Sequence, residues 1–195
     1  VLILLDKSGS MGARMTSGVG MKYPNSVAVD SNGDVYAGQY STQGIKKFIY
    51  ATKGVDSTFG TKGTYKGTGL CLSNYPFIMK IHNGYLYVAS YYKHRVFRVN
   101  LSTGACDWTS TQIIYPRNVA ISNNNILYVG HNNGIFVRNL STNTNISCSS
   151  GGNLWYIRNA YGTAVDPSAS NIYVQYSRYL YRFAIQGNHC PSTSY

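Results

Sequence analysis

Tyr75-Pro76-Phe77-Ile78-Met79-Lys80-Ile81, then Asn83-Gly84-Tyr85-Leu86-Tyr87-Val88-Ala89, then Lys93-His94-Arg95-Val96-Phe97-Arg98-Val99, is the stretch that decides the fold. It reads as three short strands. Proline is tolerated at a strand's first residue or on an edge, so Pro76 opens the first strand. Asn83-Gly84 supplies the two positive-φ residues that a tight hairpin turn needs. The third segment alternates, with Phe97 and Val99 set against Val96 and Arg98.

The phrase recurs. Before it stand Tyr23-Pro24-Asn25-Ser26-Val27-Ala28-Val29-Asp30, Asn32-Gly33-Asp34-Val35-Tyr36-Ala37 and Ile45-Lys46-Lys47-Phe48. After it come Tyr115-Pro116-Arg117-Asn118-Val119-Ala120-Ile121, Asn125-Ile126-Leu127-Tyr128-Val129-Gly130 and Gly134-Ile135-Phe136-Val137-Arg138. A fourth copy holds Thr163-Ala164-Val165-Asp166, Asn171-Ile172-Tyr173-Val174 and Tyr179-Leu180-Tyr181-Arg182-Phe183. Aligned on Val29, Ile81, Ile121 and Val165, the copies are 52, 40 and 44 residues apart. A period of that length filled with short strands is the mark of a propeller blade. The expected fold is all-β: one domain over 1–195, about four antiparallel blades starting near 23, 75, 115 and 159, and almost no helix. Segments 102–112 and 141–152, rich in Ser, Thr and Gly, are expected to hold outer strands. Tyr36, Tyr87, Tyr128, Tyr173, Val29, Ile81, Ile121 and Val165 hold equivalent positions and are expected to be buried between blades.

Pro-x-x-Val-Ala-Val-Asp, Gly-x-Val-Tyr-Val-Ala and His-Arg-Val-x-x-Phe together resemble the NHL repeat, a β-propeller family. Residues 75–99 carry the pattern best, including His94-Arg95-Val96, whereas Gln43-Gly44-Ile45 departs from it and Ala160 replaces the fourth proline. The resemblance implies a fold. Because the family includes RNA-binding modules, protein-interaction platforms and a peptide-amidating lyase, it implies no single function.

Composition points outside the cell. Soluble domains carry about a quarter charged residues; here the share is 12 %, with Lys+Arg 17 against six aspartates, no glutamate, and a formal charge of +11. Asn100-Leu101-Ser102, Asn139-Leu140-Ser141 and Asn145-Ile146-Ser147 are glycosylation sequons just past predicted third strands. Cys106, Cys148 and Cys190 are spaced by 42 and 42. With Cys71 they allow three pairings. Outer strands of neighbouring blades diverge, so the expectation is that equivalent cysteines sit too far apart to bridge within one chain, and that bridges between subunits are open to them. No apolar run is long enough for a transmembrane helix. The sequence opens on Val1, which reads as a processed form or a piece of a longer chain.

Residues 1–12 contain Asp6-Lys7-Ser8-Gly9-Ser10, which resembles the metal-ion-dependent adhesion motif of von Willebrand A domains. That family completes the site with a threonine and an aspartate from later loops. Here the first propeller phrase begins at Tyr23, so no metal is expected. His82, His94, His131 and His189 occupy non-equivalent positions, and no catalytic constellation, cofactor or phosphate loop stands out. The chain reads as a non-enzyme.

Lys46, Lys47, Arg95, Arg98, Arg138, Arg178 and Arg182, interleaved with Tyr91, Tyr92, Tyr179 and Tyr181, are candidate anion-binding residues. Acidic polysaccharide fits them, and nucleic acid is disfavoured. The expected function is a secreted, glycosylated propeller with a structural, adhesive or self-assembling role. Two alternatives stand beside it: an intracellular NHL-type module binding RNA or protein through a basic face, and an extracellular amidating-lyase-like enzyme. Closure is expected by residues 1–5 pairing beside 179–185, with homo-oligomers or filaments built on any edge left open.

Overall fold

Each repeat becomes one antiparallel sheet in the computed structural model, which describes residues 21, 24–40, 44–60, 64–67, 71, 75–148 and 159–192. Sheet 1 holds β1 (Pro24–Val29), β2 (Val35–Gln39), β3 (Gly44–Ile49) and β4 (Gly54–Val55) in that order. Sheet 2 holds β5 (Pro76–His82), β6 (Tyr85–Ser90), β7 (Arg95–Asn100) and β8 (Cys106–Thr109). Sheet 3 holds β9 (Asn118–Ile121), β10 (Ile126–His131), β11 (Gly134–Asn139) and β12 (Thr144–Ile146). Sheet 4 holds β13 (Ala160–Val165), β14 (Asn171–Tyr176) and β15 (Tyr179–Ala184). The outer strands β8 and β12 fall in the two segments expected to hold them. Helix among the described residues is limited to single turns such as the 3-10 turn Tyr91–Lys93.

Register confirms the repeat. Ala28 pairs with Tyr36, Lys80 with Tyr87, Ala120 with Tyr128 and Ala164 with Tyr173. A bulge recurs at the start of β1, β5 and β13. Aspartate closes the turn after the inner strand where it is available. Asp30 Oδ1 accepts the N–H groups of Asn32 and Asp34, and Asp166 Oδ1 accepts those of Ser170 and Asn171.

The tyrosines at the centre of each second strand point forward along the row. Tyr36 packs among Met79, Leu86 and Val88 of sheet 2; Tyr87 packs among Leu127 and Val129 of sheet 3; Tyr128 packs among Ile172 and Val174 of sheet 4. All three are fully buried. Tyr173, Ile81, Ile121 and Val165 are half-buried. Val29 departs from expectation and is exposed; among the described residues no sheet packs behind β1. Inner strands pack in series, β1 on β5, β5 on β9 and β9 on β13, and no extended packing joins β13 to β1 among the described residues. Four antiparallel sheets so stacked fit a propeller-like fold. The proposed closing strand 1–5 and the Asp6-Ser8-Ser10 motif lie outside the described residues. Beside β15, the chain itself returns: Ser192 N–H donates to the Ala184 carbonyl at 2.6 Å, and Gln186 N–H to Cys190 at 2.9 Å.

The cysteines correct the expectation of distance. Cys71 bonds Cys106 and Cys148 bonds Cys190, with Cα separations of 6.2 and 5.5 Å. Cys148 lies just past β12, and Cys190 lies on the segment folded back along β15, so the repeat-equivalent pair is brought together by the chain's return rather than by diverging outer strands. No free cysteine remains.

Candidate binding face

At one end of the sheets, the entries to the inner strands meet the turns between second and third strands, and aromatic rings collect there. Tyr75 and Tyr115, each preceding a proline, have φ of 56° and 51°, and Asn159, at the equivalent place before β13, has 60°. Positive φ is costly for a bulky residue, and the following proline restricts it further. Strain of this kind persists only where neighbours enforce it. The neighbours are specific. His94 has φ 56° and caps the Tyr91–Lys93 turn by donating its N–H to the Tyr91 carbonyl. Its Nδ1 accepts the Tyr115 N–H at 3.1 Å, and Tyr91 N–H donates to the Tyr75 carbonyl at 3.1 Å. The His-Arg motif of one repeat thus sets the Tyr-Pro entry of the next.

The result is a continuous aromatic track. Ring centroids are 4.4 Å apart for Tyr40 and Tyr75, 5.6 Å for Tyr75 and Tyr91, and 5.1 Å for Tyr91 and Tyr92. It continues from Tyr91 to Tyr115 at 4.9 Å and from Tyr115 to His94 at 4.4 Å. Arg117 carries it to sheet 4, its guanidinium 5.5 Å from the Tyr91 ring and 4.2 Å from the Tyr161 ring. An Nη of Arg117 donates to the Tyr91 hydroxyl at 3.4 Å, while its Nε is buried without a hydrogen-bond partner. Tyr40, Tyr92 and Tyr161 are exposed, so the track is open to solvent.

Of the cations singled out in the sequence, four are engaged elsewhere. Lys47 pairs with Asp34 at 3.0 Å and Asp56 at 3.5 Å. Arg98 binds both carboxylate oxygens of Asp107, at 2.8 and 3.0 Å, and lies over Tyr85. Arg138, buried over Trp108, donates to Asn143 and Asn145. Arg95 donates to the Ser110 carbonyl. Lys46 is half-buried in β3, and Arg178 and Arg182 are exposed on sheet 4. These seven do not converge. Tyr40, Tyr75, Tyr115, Arg117 and Tyr161 were not singled out from sequence as binding residues, although the repeated Tyr-Pro dipeptide was the signal for Tyr75 and Tyr115.

Two sequons have a structural use. Asn100 Oδ1 accepts the N–H groups of Ser102 and Thr103, and Asn139 Oδ1 those of Ser141 and Thr142, closing equivalent turns. Asn145 is exposed and accepts from Arg138. Among the described residues, no three His, Cys, Asp or Glu side chains converge as metal ligands would, and no helix is long and apolar enough to cross a membrane.

His131 ends β10 beside this face. Burial pushes its imidazole down from 6.5 to about 4, against a hydrogen bond to Ile114 that acts the other way. Its Nδ1 accepts from the Asn133 N–H at 3.3 Å. An unfolded chain takes up that proton more readily. Stability is therefore intact above about pH 6.5 and falls as pH drops towards about 4, by roughly 2–3 kcal/mol. Denaturant melts at pH 7 and about pH 4.5 check this, the upper range being chosen to stay above the carboxylate titrations. The wild type is expected to lose more stability than His131→Gln between those two conditions.

No protein-family model matches the chain, and no curated protein does. Solved structures share its fold. Hydrazine synthase of Kuenenia stuttgartiensis superposes with a TM-score of 0.65 at 12% identity, over 91% of this chain and 51% of that one. The extracellular domain of a one component system of B. thetaiotaomicron gives 0.64 at 16% identity, over 86% of this chain and 21% of that one. The computationally designed Ika4 protein gives 0.65 at 12% identity, over 90% of this chain and 100% of that one. This chain thus spans about half the length of the first and a fifth of the second. Identities this low speak to the fold alone.

Proposed function

We propose that this chain is an extracellular, glycosylated propeller of the NHL type with an adhesive role, and that its tyrosine track grips acidic polysaccharide. The observation that carries the reading is Arg117 held between the rings of Tyr91 and Tyr161 at the end of a solvent-open run of tyrosines. Tyrosine faces suit the C–H faces of sugar rings, and a guanidinium stacked between two rings suits a uronate carboxylate. The formal charge of +11 draws such polyanions in at low salt. Two disulfides support an oxidising compartment, and against that background a reducing-compartment RNA module is the weaker alternative. Glycans on Asn100, Asn139 and Asn145 belong to the same reading and are detectable as added mass on native material.

Titration of the chain with a polyuronate, a neutral polysaccharide and a single-stranded RNA tests this. Binding of the polyuronate is expected to exceed both others. Arg117→Gln and Tyr115→Ala should each weaken it by about tenfold, the scale of one charge-assisted hydrogen bond or one aromatic contact. Lys53→Gln removes the same charge near Tyr50 at the opposite end of the sheets and should change little. Equal loss in Lys53→Gln and Arg117→Gln would reduce the binding to net charge and sink the reading.

A further inference from the structure

The tyrosine track has a chemistry beyond that of flat faces. A phenol gives up one electron and one proton to become a phenoxyl radical, and rings in contact pass that radical between them. Tyr115, Tyr91, Tyr75 and Tyr40 form such a chain, with successive centroids 4.9, 5.6 and 4.4 Å apart. Tyr92 joins it, 5.1 Å from Tyr91 and 5.4 Å from Tyr75. Tyr75, Tyr91 and Tyr115 are half-buried, whereas Tyr40 and Tyr92 are 44% and 49% exposed. A radical formed anywhere along the chain therefore meets solvent at those two rings. They converge on Tyr75 from different sheets, Tyr40 from just past β2 and Tyr92 from the 3-10 turn after β6. The Tyr40 hydroxyl is the hydrogen-bond partner that holds the Tyr92 hydroxyl above the usual phenol range. A thiol would intercept the radical first, but all four cysteines are bonded as disulfides.

We propose that Tyr40 and Tyr92 are a dityrosine site, coupled within one chain by hydrogen peroxide acting through a haem peroxidase. The two phenols release two electrons and two protons, and the radicals join by one carbon–carbon bond between positions ortho to the hydroxyls. Each displaced ortho hydrogen moves to its own ring's oxygen, which restores both hydroxyls. Peroxide takes up the two electrons and two protons and leaves as two waters. The oxidant suits the oxidising compartment that the disulfides support. The new bond ties sheet 1 to sheet 2 at the open face. Exposure alone selects other rings, since Tyr50 and Tyr179 are 58% and 57% exposed. Tyr50 has the Lys53 ammonium over its ring, and Tyr179 lies 6.2 Å from Tyr181 of its own strand. Contact between rings of different sheets is what distinguishes Tyr40 and Tyr92.

The site is tested without polysaccharide, so it can fail while the ligand reading stands, and the reverse. The 195-residue chain, dilute and with its disulfides intact, is treated with a haem peroxidase and limiting hydrogen peroxide. The expected product is a monomer lighter by two hydrogens that fluoresces as dityrosine, with proteolytic mapping joining the peptide of Tyr40 to that of Tyr92. Tyr92→Phe and Tyr40→Phe each keep an exposed ring and remove the phenol. Each should melt like the wild type and lose the dityrosine of the monomer, whereas Tyr50→Phe and Tyr179→Phe should retain it. Dityrosine confined to covalent dimers, or linked peptides other than that pair, overturns the inference. So does a folded wild type that forms none, or an unchanged yield in both folded Tyr92→Phe and Tyr40→Phe.

Discussion

Replacing Cys148 and Cys190 together by serine is expected to cost about 4 kcal/mol of folding stability, the chain-entropy value for a loop of this size. The bridge spans 42 residues and ties the end of sheet 3 to the chain's return along β15. That return is also held by backbone hydrogen bonds to β15 and by the Tyr128 hydroxyl on the His189 carbonyl. Cys71–Cys106 spans 35 residues, and its removal should cost nearly as much. A typical domain has 5–15 kcal/mol in total, so a reductant acting on both bridges is expected to unfold much of the population. Urea melts of each double-serine variant, compared with the wild type, measure the effect. A loss below about 1 kcal/mol in both would show that the bridges add little to the native contacts.

Tyr128→Ala is expected to cost about 3–5 kcal/mol, the range for deleting a large buried aromatic ring. Tyr128 is fully buried, packs its ring into the sheet 3–sheet 4 interface, and has its hydroxyl pushed up to about 12 by that burial. The hydroxyl donates to the His189 carbonyl at 3.1 Å. Tyr128→Phe keeps the ring and should cost only about 1 kcal/mol, the net value of one hydrogen bond. His189 precedes Cys190, so Tyr128 and the disulfide hold the same segment. Their combined loss should therefore differ from the sum of the separate losses, which a double-mutant cycle detects. Thermal or urea melts of the two tyrosine variants give the sizes, and near-equal losses for Phe and Ala would show that the ring itself is not packed.

Much of the fold was legible because the repeat fixes strand number, turn position and register together. Tyr36, Tyr87 and Tyr128 recur at one place, and that place is the centre of each sheet-to-sheet contact. Val29 failed the same rule because a periodic pattern does not say which copy has a neighbour packed behind it, and β1 has none among the described residues. The expected cysteine separation failed for a different reason. Its distance depends on where the chain turns back after β15, at Gln186 and His189, and no local periodicity encodes that. The cations were visible but their partners were not. Lys47 needs Asp34 and Asp56, and Arg98 needs Asp107; all three ion pairs form only once the register is set. The tyrosine track lies further still from the sequence. It is assembled from the residue before each proline, from a single 3-10 turn and from the left-handed His94, positions that strand alternation treats as punctuation.

Hydrogen exchange of the wild-type chain with and without a polyuronate locates the bound polymer directly. Slowed exchange confined to the amides around 40, 75, 91–95, 113–118 and 159–161, where the tyrosine track and Arg117 lie, is the expected result. Protection centred instead on the exposed cations of sheet 4, around Arg178 and Arg182, or spread evenly over all four sheets, would contradict it.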